Sequence, residues 1–522
     1  MMFKRFLAIA MLSLISFQGY ATHLLGGEIV WKCKPNGKYQ FTLTLYRECG
    51  SPVQISTNPQ TLVNNTGTLI SCAYIGTDNV VPTCYTGAEP CQAGAGLSGL
   101  GRMQKYTFRS GDIVLAGTPP PAGWTFSWSN CCRPQSVDNI VGAGSKAYYL
   151  RATMYPYTPP GSTSPLSGGT TANPTCYDSS PNFLEDPQVV ACSSQDVVYN
   201  NLGYDPDLDS LYYIWADPLI AAATSAPWET GYSTTSQLPS ISPSTAAILD
   251  NNIGTITFNS AENGSFATCL GIEAWRCNQK VGEIFRDIPV VVRSCLPPSG
   301  ALCSASYNPI PPELNFTTDS SLAAPTVLSP VTNIAGDTVA YQTEGFPGDT
   351  IRFTMRAVDP WVHPNCTPQK ISMEARGGNL SSAANYGNAS ICLFNPPCAT
   401  IVPTGTSTSL SNVSGTLDAK FNWYLECNHL FYQEYICGSL KSDYEFYFKI
   451  TDDQCPVPLT SYAKLLVKVK NYMPGIPNID NTCIQQDDNG VTFDWVNNPD
   501  TGFNWDFYVI NHIDTLGNTS VV

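Results

Sequence analysis

Between Tyr39 and Tyr46 the side chains alternate. Tyr39, Phe41, Leu43 and Leu45 are large and apolar, and Gln40, Thr42, Thr44 and Tyr46 fall between them. A period of two sends successive side chains to opposite faces of a strand, so this stretch reads as a half-buried β-strand. Glu28 to Cys33 reads as its partner. Lys34 to Lys38 is the hairpin turn: Pro35 presets φ and Gly37 supplies a positive φ. The hairpin predicts an all-β chain. Short strands separated by turn residues continue downstream, at Leu211–Trp215, Gly254–Phe258, Phe266–Trp275 and Ile284–Val292, without helical periodicity.

The chain holds 20 cysteines, an even number, and the first is Cys33. Zinc would need close cysteine pairs matched by other pairs or by histidine. Cys131 and Cys132 are adjacent, there is no CxxC, and only four histidines occur. A disulfide framework in an exported chain is therefore predicted. Residues 1–21 fit that setting. Lys4 and Arg5 precede the apolar run Phe6–Phe17, and Gly19 and Ala21 are small, which is the pattern of a cleaved signal peptide. The run is too short to span a bilayer.

Geometry limits the pairing. Cys33 sits at the turn and Cys49 lies ten residues beyond Tyr39. At ~3.3 Å per residue they are about 30 Å apart and cannot bond each other. Cys131 and Cys132 point to opposite faces of a strand and are expected to take different partners.

The formal charge is −15 and only 13% of residues are charged. An acidic chain with few lysines and arginines argues against nucleic acid or an anionic membrane as partner. Its 522 residues suffice for three or four domains. Residues 22–165 read as a cysteine-rich β-domain, and 176–296 as a cadherin-like or immunoglobulin-like sandwich. The Pro-, Gly-, Ser- and Thr-rich Tyr157–Pro174 lies between them as a linker or surface loop. Residues 303–471 read as a second such sandwich. There DTIRFTMRAVDP takes the place of DSLYYIWADP, and YEFYFKITDDQC with SYAKLLVKVKN supplies a closing hairpin. In that fold Cys366 and Cys455 fall in loops at one end and are paired on that ground. Cys427 and Cys437 bound a short segment and pair locally. Residues 474–522 begin a further module and stop at about half the length of a ~100-residue sandwich, so a longer protein is expected.

Asp205, Asp207 and Asp209 are the candidate site. Carboxylates at alternate loop positions can present hard oxygens to Ca²⁺. The stretch is not an EF-hand, because Ser210 and Ala216 stand where Gly and Glu are needed. The other reading is a solvated acidic turn before a strand. No other cofactor is indicated. His23, His363, His429 and His512 are far apart, and neither HExxH nor G-x-S-x-G is present. No convergent constellation argues for catalysis, and a non-enzyme is expected.

Several stretches carry a resemblance. HLLGGEIVWKC with KYQFTLTLYREC, WSNCCRP followed by DNI, DPDLDSLYYIW and FRDIPVVVRSC resemble segments of large secreted surface proteins of gliding Bacteroidetes. These are the gliding-motility-associated type, exported by type IX secretion. VTFDWVNNPD with FYVINHIDTLGN resembles the first strands of a fibronectin type III domain. Related proteins usually have Gly between the last two Asp of the acidic loop, where this chain has Leu208. The resemblance implies a structural or adhesive role at the cell surface, with a surface glycan or protein as partner. It also implies attachment to the outer membrane through a sorting region further along. The alternative is a carbohydrate-binding accessory module of a secreted polysaccharide-degrading system.

Overall fold

The structure, a computed structural model, describes residues 24–49, 54–80, 91, 103–187, 190–240, 246–294, 311–318, 326–332, 338–360, 369–381, 383–392, 395–430, 442–453 and 457–470. It also describes four short pieces between 478 and 521. The protein is all-β, with disulfide bonds and several sheets. The segment 1–21 lies outside the described residues. Of 474–522, two small ladders are described, Asn478–Ile479 with Trp495–Val496 and Asn511–Ile513 with Thr519–Val521.

Strands β1 (Leu24–Cys33) and β2 (Tyr39–Glu48) form the expected hairpin, and Tyr39, Phe41, Leu43 and Leu45 are fully buried. Thr44 and Tyr46 are buried too, because the opposite face at that end packs on Val190, Ile288 and Val457. Next come β3 (Gln60–Asn64), β4 (Leu69–Val80), β5 (Met103–Ser110), β6 (Trp124–Asn130) and β7 (Tyr148–Met154). They join the sheet in the order β1-β2-β5-β4-β3-β6-β7.

The neighbour of β7 is distant in sequence. It is Gln279–Arg293, the second strand of a long hairpin whose first strand is Gly264–Arg276. Gln279–Arg293 also meets β1, at Gly27 opposite Asp287, and so closes the sheet on itself. Gly26 permits the closure: its φ is +141°, and a Cβ there would lie 1.7 Å from the Asp287 carbonyl oxygen. Ser210–Trp215 extends the sheet beyond the hairpin. A single core runs from Trp31, Phe41 and Phe126 to Phe258, Ile272 and Ile284. Residues 22–165 and 176–296 therefore share one sheet and one core, because the hairpin of the second segment supplies the closing strand of the first.

Residues 313–469 form a sandwich. One sheet has the order Glu313–Thr318, Thr350–Val358, Thr416–Tyr424, Thr400–Pro403. The other is built around Lys370–Gly377, Asp443–Thr451 and Thr460–Val469. Between them Phe353 stacks on Phe421 with ring centroids 4.7 Å apart, and Phe446 and Phe448 meet Phe421 edge-on. Thr350–Val358 lies in the sheet opposite the closing hairpin, whereas Ser210–Trp215 pairs directly with its own hairpin. The sandwich docks on the first body. Leu208 of the acidic loop belongs to the sandwich core, and Lys449 is ion-paired with Glu185.

His429 lies buried in this sandwich. Its Nδ1 accepts the Glu426 N–H at 2.9 Å and its Nε2 is 3.1 Å from the Asn395 carbonyl, as the neutral ring requires. Burial holds its pKa down, from the usual 6.5 to about 4. The unfolded chain therefore binds the proton more tightly. Stability from this group is complete above pH ~6.5 and is lost as pH falls toward 4, by about 3 kcal/mol. Urea unfolding of wild type and His429→Gln between pH 7.5 and 4.5 should show the loss in the wild type and a flatter profile in the variant.

Four disulfides join described residues to one another, and Cys192 and Cys277 are disulfide-bonded as well. Cys33 bonds Cys176, Cys49 bonds Cys91 and Cys392 bonds Cys398. Cys33 and Cys49 are thus not partners, in line with their separation along the hairpin. Cys131 and Cys132 bond each other across a cis peptide, which corrects the expectation of separate partners. Cys72 and Cys269 are buried thiols, each pushed up to about 12 by burial. Cys366, Cys437 and Cys455 lie outside the described residues, and with them the pairings 366–455 and 427–437.

Candidate functional site

The acidic loop forms where the chain turns into Ser210–Trp215. Asp205 organises it: one side-chain oxygen accepts the N–H of Asp207 at 2.8 Å and of Asp209 at 3.1 Å. This is a carboxylate folding its own loop, as Asp does in Asx turns. Leu208 sits at φ +58°, a conformation that Gly adopts freely. Leu at this position gains burial in return, since its side chain enters the core of the neighbouring sandwich.

The loop is not solvated. Asp205 and Asp209 are buried, and Asp178, fully buried, joins them from the segment after Cys176. Arg276, at the end of Gly264–Arg276, points into the group. Its Nε donates to Asp209 at 2.9 Å, and one terminal nitrogen reaches Asp209 at 2.6 Å and Asp178 at 2.9 Å. The same nitrogen is 3.8 Å from Asp207, which accepts the Ser179 N–H. One guanidinium thus serves several carboxylates. Burial and mutual repulsion raise the carboxyl pKa of Asp178 and Asp205, and burial raises that of Asp207 against the pull of Arg276.

Calcium does not fit this arrangement. Asp209 gives both oxygens to Arg276, and Asp205 spends one oxygen on its own loop. Single oxygens of Asp178 and Asp205 are left without a hydrogen bond, too few for a hard cation that takes six to eight oxygens. Among the described residues no group of three or more His, Cys, Asp or Glu could hold a metal ion. Thermal melts of the protein with Ca²⁺ and with chelator should coincide. A rise of several degrees with Ca²⁺ but not with Mg²⁺ would show that the metal displaces the guanidinium.

The same hairpin makes two more buried pairs. Arg286 forks onto Glu28 of β1 and also donates to the Glu185 carbonyl at 2.7 Å and to Asn201 at 2.9 Å. Asp287 accepts both terminal nitrogens of Arg133, at 2.8 and 2.5 Å. Arg133 lies over the Tyr148 ring, 4.1 Å from its centroid, and the Tyr148 hydroxyl donates to the Leu25 carbonyl. The charged residues of GGEIV and CCRP therefore meet those of FRDIP in space, while DPDLD meets Arg276. Sequence reasoning found the aspartates and missed the arginines. Their signal was present: Arg286 and Asp287 interrupt an apolar strand, and a charge in such a strand needs a buried partner.

No known family profile matches the chain, and no curated protein matches it. Among solved structures, the chain is similar to Drosophila N-cadherin EC1-4 at 10% identity, with TM-score 0.16, over 80% of this chain and 94% of that one. It is similar to the N-terminal four Ig domains of Dscam1 isoform 6.44 at 9% identity, with TM-score 0.13, over 85% and 91%. An endo-fucoidan hydrolase, MfFcnA4 from glycoside hydrolase family 107, matches at 11% identity with TM-score 0.14, and this chain spans 43% of its length. S-layer protein SbsC domains 4 and 5 are also similar, at 9% identity and TM-score 0.12. Likeness of this degree carries no argument about activity.

Proposed function

We propose that this chain is the amino-terminal part of a secreted, non-catalytic structural or adhesive protein of a bacterial cell surface, of the gliding-motility-associated type exported by type IX secretion. One observation carries the reading. Charged residues in the motifs that resemble that family are held in buried ion pairs: Glu28 with Arg286 and Arg133 with Asp287 join motif to motif, and Asp209 is held by Arg276 from outside them. Such motifs build a scaffold and leave little for chemistry on a substrate. Disulfides between distant segments suit an oxidising compartment.

The test is location and processing. Secreted material should begin at or near Thr22, and a strain lacking type IX export should retain the protein inside the outer membrane. Retention of residues 1–17 in the secreted protein would overturn the reading.

A further inference from the structure

A cavity of about 570 Å³ opens where the sandwich docks on the first body. Its floor is the outer face of three adjacent strands of the sandwich. Ser372, Thr451 and Thr460 stand in one cross-strand row, and Glu374, Lys449 and Tyr462 in the next. The wall comes from the first body, with Pro187 and Val190, and from Val457 and Pro458 of the sandwich. Polar rows facing an apolar wall suit a ligand with hydroxyls on its edges and C–H groups on its faces. The volume lies within the range of small-molecule sites, about 300–1,000 Å³.

Charge narrows the ligand further. Glu185, Asp186, Glu374, Asp452 and Asp453 outnumber Lys370, Arg376 and Lys449 around the cavity, so an anion is disfavoured. Several of these charges are already committed: Lys449 to Glu185, Asp186 to Lys105, and Arg376 to Glu374. What remains is hydroxyl, amide and carboxylate capacity, with the row of Ser372, Thr451 and Thr460 at its centre.

We infer that this interdomain cavity binds a neutral oligosaccharide of about two rings, with the row of Ser372, Thr451 and Thr460 meeting its hydroxyls. The site is separate from the acidic loop, and the inference does not depend on the mode of export.

The test is saturation-transfer NMR on the mature chain with maltose, cellobiose, lactose and N,N′-diacetylchitobiose, with a sulfated disaccharide as the anionic comparison. At least one neutral sugar should show saturable binding. Ser411→Trp, at an exposed position on the rim, should fill the cavity and weaken that binding by at least about tenfold. Three results would each overturn the inference: no saturable binding by any neutral sugar, binding that survives Ser411→Trp, or tighter binding of the sulfated sugar.

Discussion

Replacing Arg276 with Ala should destabilise the first body by about 3–5 kcal/mol, the usual cost of removing one partner from a buried charge group. For a body of this size that lowers the melting temperature by about 10 °C. The variant leaves Asp178 and Asp209 buried without their cation, while Asp205 and Asp207 still repel them. The pH dependence identifies the cause. Burial raises the folded-state pKa of Asp178, Asp205 and Asp207, so the folded form binds protons more tightly than the unfolded chain. Their contribution is fullest below the unfolded value of about 4 and is lost as pH rises through the raised values. Arg276 limits that loss, and without it the loss grows. The gap between wild type and Arg276→Ala should therefore narrow between pH 7.5 and 5. His429 acts in the opposite direction but equally in both proteins, so it cancels in the difference. Urea unfolding at the two pH values is the measurement. A gap below 1 kcal/mol, or one that does not change with pH, would mean that the guanidinium is not what holds this loop.

The second large effect belongs to the Cys33–Cys176 disulfide, which spans 143 residues of sequence. By loop-closure entropy a bridge of that length contributes about 5 kcal/mol, more than any shorter bridge of the same kind. The double substitution Cys33→Ser with Cys176→Ser should remove most of it. Cys392→Ser with Cys398→Ser opens a loop with a separation of only six and should cost far less. Melts of the two double variants under identical conditions check the ranking. Equal losses would mean that local packing, and not chain entropy, sets the value of these bonds.

The local pattern made part of the fold legible. Tyr39 to Leu45 declared a strand through its period, and Pro35 and Gly37 declared the turn, because both signals act within a few residues. Ring closure was not legible, since Gly27 and Asp287 are opposite one another only after the whole intervening chain has folded. The acidic loop was half legible. Three aspartates at alternate positions mark a site of concentrated charge. Whether a metal, water or an arginine answers that charge is decided by Arg276, 67 residues beyond Asp209. Leu208 looked like a departure from a Gly position, and its reason lies in a different domain. Cys131 and Cys132 were misjudged because strand geometry was assumed through them, whereas the strand before them ends at Asn130.

The order of appearance of the chain gives the long hairpin a further consequence. Glu28 emerges early in synthesis, and its cation Arg286 follows 258 residues later. At ribosomal rates of about 5–20 residues per second, the first strand waits roughly 10–50 s for the strand that closes it. During that interval Glu28, Asp178 and Arg133 have no buried partner, and Cys33 must stay unpaired or mispaired until Cys176 arrives. The first body cannot be completed piece by piece as it emerges. A chain cut short anywhere before residue 264 would lack all three of its internal ion-pair anchors. Any compartment that handles this protein must hold the 258 residues from Glu28 to Arg286 open before the first strand can settle.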